Sequence, residues 1–506
     1  MSPATAGRGA LGVDVLASLN LVGALLKYLS LATLFPIPFA LAYSEPIWPF
    51  VVAGIAGGAS GWALERLTTG KETVGVREGF LVVSLTWLFA AGLGALPYIA
   101  SGEDQISSPM DAYFEAMSGF TTTGATVLTD VEALPDSLLM WRQLTQWLGG
   151  MGIIVLALAV LPRLRVGGRQ LLEHELPGPE FEQMTARIRD TARRLWALYV
   201  GLTLVMVAIL TAFAWTGVDE RMSPFEAVAH AFTTLPTGGF STEARGVEAF
   251  GAPSQWVIAA FMALAGANFA LLYRLFVRAN PRPLLRDEEF RLYATLLLLG
   301  SLALTIELWT EGVAKGEEAI RASVFQFVSI MTTTGAASTD FNLWPIFATV
   351  VLVAAMFLGG SAGSTSGSVK VVRHLLIGRI LRRELDQTVH PEIVSRVRLN
   401  GAPVDERILR AILSFVLLYI GVFALGTFAL MADGARIDLD LRLLDAVGAA
   451  ATTLGNVGPA FGFAGPMGSF DPFSGISKLV MIVLMWLGRL EIIPVAVLLS
   501  RHYWRI

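Results

Sequence analysis

Four short segments carry threonine and glycine at the same place, where an apolar stretch has just ended. The first reads Phe114-Glu115-Ala116-Met117-Ser118-Gly119-Phe120-Thr121-Thr122-Thr123-Gly124-Ala125. The second runs from Phe225-Glu226-Ala227 to Thr233-Thr234-Leu235-Pro236-Thr237-Gly238-Gly239-Phe240, and the third from Phe325-Gln326 to Met331-Thr332-Thr333-Thr334-Gly335-Ala336. The fourth runs from Asp445-Ala446 to Thr452-Thr453-Leu454-Gly455-Asn456-Val457-Gly458-Pro459. These residues offer little covalent chemistry; what they offer is backbone. Glycine reaches angles closed to other residues, so consecutive carbonyl oxygens can face one axis, and rings of carbonyls can replace the hydration shell of a potassium-sized ion. No Asp or Glu lies within the turns. A carboxylate ring would favour divalent cations, whereas neutral carbonyl dipoles favour a large monovalent one. A single Thr/Gly cluster reads as a plain turn or helix cap; four in equivalent places point to a shared task.

The elements that must hold such turns follow from their surroundings. An apolar segment of about 10–14 residues is too short to cross a bilayer and fits a re-entrant helix. Non-helical backbone at membrane depth is tolerated only inside protein or against water. A helix entering from outside would aim the negative end of its dipole at the centre. A second motif recurs in the span after each turn: Trp147-Leu148-Gly149-Gly150, Ala263-Leu264-Ala265-Gly266, Phe357-Leu358-Gly359-Gly360 and Trp486-Leu487-Gly488-Arg489. Two motifs repeating in one order mark four copies of a unit. Each copy contains two crossings, so all point the same way, and the expected axis is pseudo-fourfold along the membrane normal rather than that of inverted repeats.

Composition gives the class. Of 506 residues, 54% are hydrophobic and 15% charged, against about 25% charged in an ordinary soluble domain. The apolar residues fall in runs expected near 14–43, 47–65, 77–100, 139–162, 192–216, 255–277, 290–310, 344–382 (interrupted), 406–432 and 475–500. Basic and acid-rich connections alternate between them, and the positive-inside rule then places both termini in the cytoplasm. The first apolar run is too long for a cleaved signal peptide and reads as a retained helix. There are no cysteines, and the five histidines are scattered without ligand spacing, which argues against a zinc or di-iron enzyme. The fold expected is an all-α polytopic membrane protein: an N-terminal helix pair (1–72), then four helix–pore loop–helix units at 73–170, 171–284, 285–385 and 386–506. A carrier for an organic solute, the main rival, would show inverted halves and a charged midplane pocket; an intramembrane enzyme would show clustered acids or histidines.

The residues Ala116–Thr126, Gly238–Thr242, Gly359–Ser364 and Leu487–Glu491 resemble those of the Trk/Ktr/HKT superfamily of potassium transporters, over nearly the whole chain. The Thr-Thr-Thr-Gly form and the extra N-terminal pair look most like the TrkH branch. The resemblance implies a homodimer with one pore per subunit in the inner membrane of a bacterium. It also implies a TrkA-like cytoplasmic ring of nucleotide-binding regulatory subunits, so that a nucleotide acts only through a partner, with potassium as substrate, no covalently bound cofactor and no nucleic acid. Its selectivity glycines fall on Gly124, Gly239, Gly335 and Gly458. Thr122, Thr123, Thr237, Gly238, Thr333, Thr334, Asn456 and Val457 would supply the coordinating carbonyls, although the fourth register could slip to Gly455. In some plant relatives a serine in place of the first glycine accompanies sodium transport, so Gly124 points to potassium.

The interrupted span is the second informative place. Gly359-Gly360-Ser361-Ala362-Gly363-Ser364-Thr365-Ser366-Gly367-Ser368 makes a poor helix and a good hinge. In the family the equivalent segment is a gating loop beneath the filter, closely followed here by Lys370; the alternative is a close helix-packing surface. Arg489 stands where the other copies have Gly150, Gly266 and Gly360, which are expected to leave space beneath the filter. A charge at membrane depth is a functional candidate: either Arg489 projects into the pore as a barrier, as in relatives, or it pairs with Glu491 or another acid. The basic inner loops 163–194 and 373–398 are candidate docking surfaces for the regulatory subunit, although positive-inside bias alone accounts for basic loops.

Overall fold

In the computed structural model, residues 13–68, 75–106, 108–159, 181–393 and 395–504 are described. The connection 160–180, which holds most of the first expected docking loop, lies outside them, as do Met1–Gly12. The described residues are predominantly helical, and the one sheet among them is a two-residue hairpin, Arg398–Leu399 with Ala402–Pro403. A helix or helix pair falls on each expected span. Among the described residues five helices, or up to seven when bent pairs are joined, are long and apolar enough to cross a membrane.

The N-terminal helices Val15–Ser30 and Trp48–Leu67 meet at two glycines. A Cβ on Gly23 would lie 2.7 Å from the Gly61 carbonyl oxygen, and one on Gly61 2.6 Å from that of Gly23. Small residues at a crossing let backbones approach where lipid supplies no hydrophobic drive. The pair is tied to the rest of the chain through Glu45, whose carboxylate accepts from the Asp136 and Ser137 amides at 2.7 and 2.9 Å.

Four short helices follow in sequence: Pro109–Phe120, Pro224–Thr234, Gly316–Met331 and Leu443–Gly455. The first two start alike, with Ser108 and Ser223 accepting from the amides of Asp111 and Glu226 and proline in the first turn. A serine cap followed by proline fixes the start of a helix, because proline's missing N–H costs nothing there. That shared start shows that the Phe-Glu-Ala tripeptides of the first two units are out of register. Asp111 is the counterpart of Glu226, and Glu115 sits one turn further on, level with His230, Gln326 and Ala449. The tripeptides match as strings but occupy different turns.

The helices after the turns differ more than expected. Asp136–Ala159 is unbroken. The third, Ile346–Met356, is separated from Val371–Val389 by the small-residue segment, as expected. The second and fourth, expected to be continuous, are each bent: Ala252–Ala265 meets Phe269–Phe276 at 113°, and Gly475–Arg489 meets Ile493–Leu499 at 114°. At the first bend, Asn268 caps the new helix by accepting from the Ala270 and Leu271 amides. At the second, Glu491 and Ile492 both take positive φ, at 57° and 58°. Apolar composition runs across both bends, so hydropathy alone reads each as one span.

Candidate functional site

All four short helices end in the same backbone device. Thr123, Gly238, Thr334 and Val457 donate their amides to Ser118, Thr233, Ser329 and Thr452 at 2.8, 2.8, 2.8 and 2.9 Å. This six-residue closure requires a left-handed residue just before it. Thr122, Thr237, Thr333 and Asn456 take that role, with φ of 53°, 57°, 57° and 53°. Two residues later the chain is left-handed again, at Gly124, Gly239, Gly335 and Gly458 with φ of 83°, 79°, 75° and 119°. Non-glycine residues at positive φ are uncommon, and β-branched ones are outliers, so three threonines held there mark over-determined backbone. The fourth turn keeps this register at Asn456-Val457-Gly458, not at Gly455, which lies within its helix.

The turns meet one another in cyclic order. A Cβ on Gly124 would strike the Gly238 carbonyl oxygen, one on Gly239 that of Thr334, and one on Gly335 that of Val457. One on Gly458 would lie 2.9 Å from the oxygen of Thr123. First touches second, second third, third fourth, and fourth first, so the four turns close a ring. Asn456 secures the last seam, its Nδ2 donating to Thr123 Oγ1 and to the Met485 carbonyl, both at 3.0 Å. Gln146 braces the second turn, donating to the Gly238 oxygen at 2.7 Å and accepting from the Phe240 amide at 3.1 Å. Where the chains leave the turns, a cavity of about 120 Å³ is lined by Gly124, Gly239, Gly335 and Pro459 from the four units.

The small-residue segment lies at the opposite end of the ring. Thr365 Oγ1 donates to the Leu235 and Ala265 carbonyls at 3.1 and 3.2 Å. The Gly367 amide donates to Thr333 Oγ1 at 2.6 Å, and a Cβ on Gly367 would strike the Gly455 oxygen. One segment therefore touches the ends of the second, third and fourth short helices. Further anchors hold its flanks. Ser361 N donates to Gly266 O at 2.8 Å and Gly359 N to Val369 O at 2.8 Å. Gly360 O accepts from Val371 N, and Gly363 O from Phe269 N. Glu289, 7% exposed, accepts from the Ala362 and Val372 amides at 2.6 and 3.2 Å. Lys370 Nζ donates to the Ser366 carbonyl. The packing alternative for this run is not what the chain adopts: the segment is non-helical loop.

Arg489, 1% exposed, donates to the Thr365 carbonyl at 3.1 Å and to that of Gly149 at 3.3 Å, and its Nε has no partner. Among the described residues Arg489 makes no ion pair with any acid, and Glu491 is bonded to Arg373 instead. The expected vacancy at the equivalent glycines is also corrected. A Cβ on Gly150 would strike Pro236, one on Gly266 would lie 2.7 Å from Thr332 Cγ2, and one on Gly360 2.5 Å from Gly266 O. These glycines serve close approach rather than open space. Asn268, Gln146 and Glu289 escaped the sequence reading, although a lone acid or amide beside an apolar run is the signal that flags them.

The architecture and its ring can now be set beside known proteins. The sequence profile described as "TrkH: Cation transport protein" matches residues 49–506. The chain belongs to the TrkH family. Among its TrkH relatives, the "Trk system potassium uptake protein TrkH" of Escherichia coli K12 is 38% identical over 432 residues, covering 85% of this chain and 86% of that one. The protein of the same name from Vibrio parahaemolyticus is 37% identical over 496 residues, covering 96% and 99%. The solved structure "Crystal Structure of the Potassium Transporter TrkH from Vibrio parahaemolyticus" superposes with a TM-score of 0.87 at 34% identity, over 97% of this chain and 100% of that chain. The chain is thus an all-α polytopic membrane protein of the TrkH family.

Proposed function

We propose that this chain takes up potassium across the inner membrane of a bacterium, with both termini in the cytoplasm. Carbonyls of Thr122, Thr123, Thr237, Gly238, Thr333, Thr334, Asn456 and Val457 replace the ion's water, held by Gly124, Gly239, Gly335 and Gly458. The observation that carries this reading is the cyclic contact of four left-handed glycines with the carbonyl of the next turn. A ring closed by backbone oxygens suits a weakly hydrated monovalent cation. The TrkH relatives are named for potassium uptake, which agrees with that chemistry.

The segment from Gly359 through Ser361, Gly363 and Gly367 to Lys370 acts in this reading as the gate, a role supported by its contacts with the ends of three of the four short helices. Arg489 adds a fixed positive charge that a cation must pass. The unit boundaries near 72, 170, 284 and 385 belong to the same reading, as do the homodimer and the cytoplasmic nucleotide-binding subunit that would move the gate.

Purified protein in liposomes, assayed with labelled rubidium, tests the filter directly. Gly124→Ser is expected to lower the potassium-over-sodium ratio by about tenfold, the cost of left-handed strain at a ring position. An unchanged ratio in folded protein would remove the ring from the transport path. Adding a purified nucleotide-binding partner with ATP or NADH, and reading rubidium uptake, tests the regulatory part; no change with any nucleotide would refute it.

A further inference from the structure

The level on the short helices just above the ring holds a different side chain in each unit: Glu115, His230, Gln326 and Ala449. In three of the units that side chain reaches across to the chain leaving the turn. Glu115 accepts from the Val127 amide and from Thr126 Oγ1, both at 3.0 Å. His230 Nε2 lies 3.2 Å from Ser241 Oγ, and Gln326 accepts from the Ser338 amide at 3.0 Å. The neutral amide of Gln326 makes this brace without a charge. Glu115 must therefore be ionisable for some further reason.

That reason is Arg142. Its Nε donates to Glu115 Oε1 at 2.6 Å, with side-chain exposures of 2% and 0%. Its Nη1 donates to the Ser241 carbonyl of the second unit at 2.7 Å, and its guanidinium lies 3.5 Å from the centre of the Phe240 ring. Phe240 and Ser241 directly follow Gly239, as Thr126 and Val127 closely follow Gly124. One buried ion pair thus joins the outgoing strands of two adjacent turns. Arg142 also lines the cavity where those strands leave the ring. A cation at the mouth of a cation path repels the ion unless an adjacent carboxylate cancels it, and a buried charge must in any case be paired.

We infer that Glu115 and Arg142 form a charge-balanced clamp that sets the spacing between the first and second quadrants of the ring, and so determine how strictly ions are chosen. The inference rests on the filter reading above. Both are positioning residues, since neither needs to touch the ion.

The test compares rubidium uptake rate with the potassium-over-sodium ratio in liposomes holding the full chain. Glu115→Gln alone leaves an uncancelled guanidinium at the mouth, and uptake is expected to fall by about tenfold. The paired Glu115→Gln and Arg142→Met variant restores charge balance but removes the donor to Ser241. Its uptake is expected to return towards that of the parent while its ion ratio falls severalfold. Should Glu115→Gln fail to fold, the paired variant decides alone: a reduced ratio supports the clamp and a parental ratio overturns it. Gly124→Ser run in parallel separates the two ideas. If it shifts the ratio and the pair does not, the clamp alone fails; if it does not shift the ratio, the filter reading fails.

Discussion

Along the axis of this protein, the two ends of the ring obey different rules. At the level of the turns the four units agree closely: the same closure bond, a left-handed residue at the same place and a glycine two positions later. Immediately beyond, they diverge. One following helix is unbroken, two bend by 113° and 114°, and one opens into a loop that crosses beneath three short helices. In the proposed reading, holding an ion demands near-equal oxygens on every side, which four like turns supply. Closing a path needs one element to fill it, and four equal elements would have to move together. On that reading similarity would serve binding, and difference control.

The contrast can be broken most severely at the ring. Gly335→Ala places a methyl against the Val457 oxygen on backbone of positive φ. Left-handed strain of roughly 1–2 kcal/mol adds to that collision, and rubidium uptake should drop by at least tenfold. Parental uptake by the variant would show that the cyclic contacts are loose. At the divergent end the sign reverses. Arg489→Ala removes a cation bonded to both the loop and the first unit, and uptake should rise, by at least tenfold if the ion passes within about 12 Å of the charge at an effective dielectric near 20. A folded variant with equal or lower uptake would leave Arg489 as structure only.

Thr333→Val sharpens the comparison, because Thr333 belongs to both ends. It keeps the β-branched shape but loses the acceptor for the Gly367 amide. One buried hydrogen bond, about 0.5–1.5 kcal/mol, should shift the loop toward release and raise uptake severalfold while leaving the ion ratio intact. A changed ratio would mean that the hydroxyl shapes the ring instead. The smallest effect is expected in the connection after the second turn. Burial, then the neighbouring Glu226 and Glu132, hold the Glu243 carboxyl above its ordinary value. A raised carboxyl costs the folded state most when ionised, so the penalty is full above the raised value and gone below the ordinary one. Glu243→Gln should therefore increase Tm at pH 7, with the gain vanishing as pH falls towards 4; a gain that grows on acidification would contradict this.

The repeated turns were plain in the sequence because their device is local. A helix end, a left-handed residue and a glycine all fall within one short window, and they recur. The loop at Gly359–Ser368 was legible for the same reason, since ten small residues together cannot sustain a helix. The bends after Ala265 and Arg489 were hidden because their partners are distant: Asn268 holds the Ala362 carbonyl, while Arg373, far along the chain, holds Glu491. The role of Gly150, Gly266 and Gly360 is hidden in the sequence for a similar reason. Lacking a side chain looks like empty space in a string of letters, but in the folded chain it is contact with whatever arrives from another unit.

The seam made by Asn456 has one more consequence. Since the circle begins and ends within a single polypeptide, each quadrant is written by its own codons and can drift separately. An assembly of four identical chains cannot alter one corner without altering all. If the ring is the filter proposed above, a single nucleotide change can make the opening lopsided by a quarter, which gives mutation a fine scale on which to trade strictness for speed.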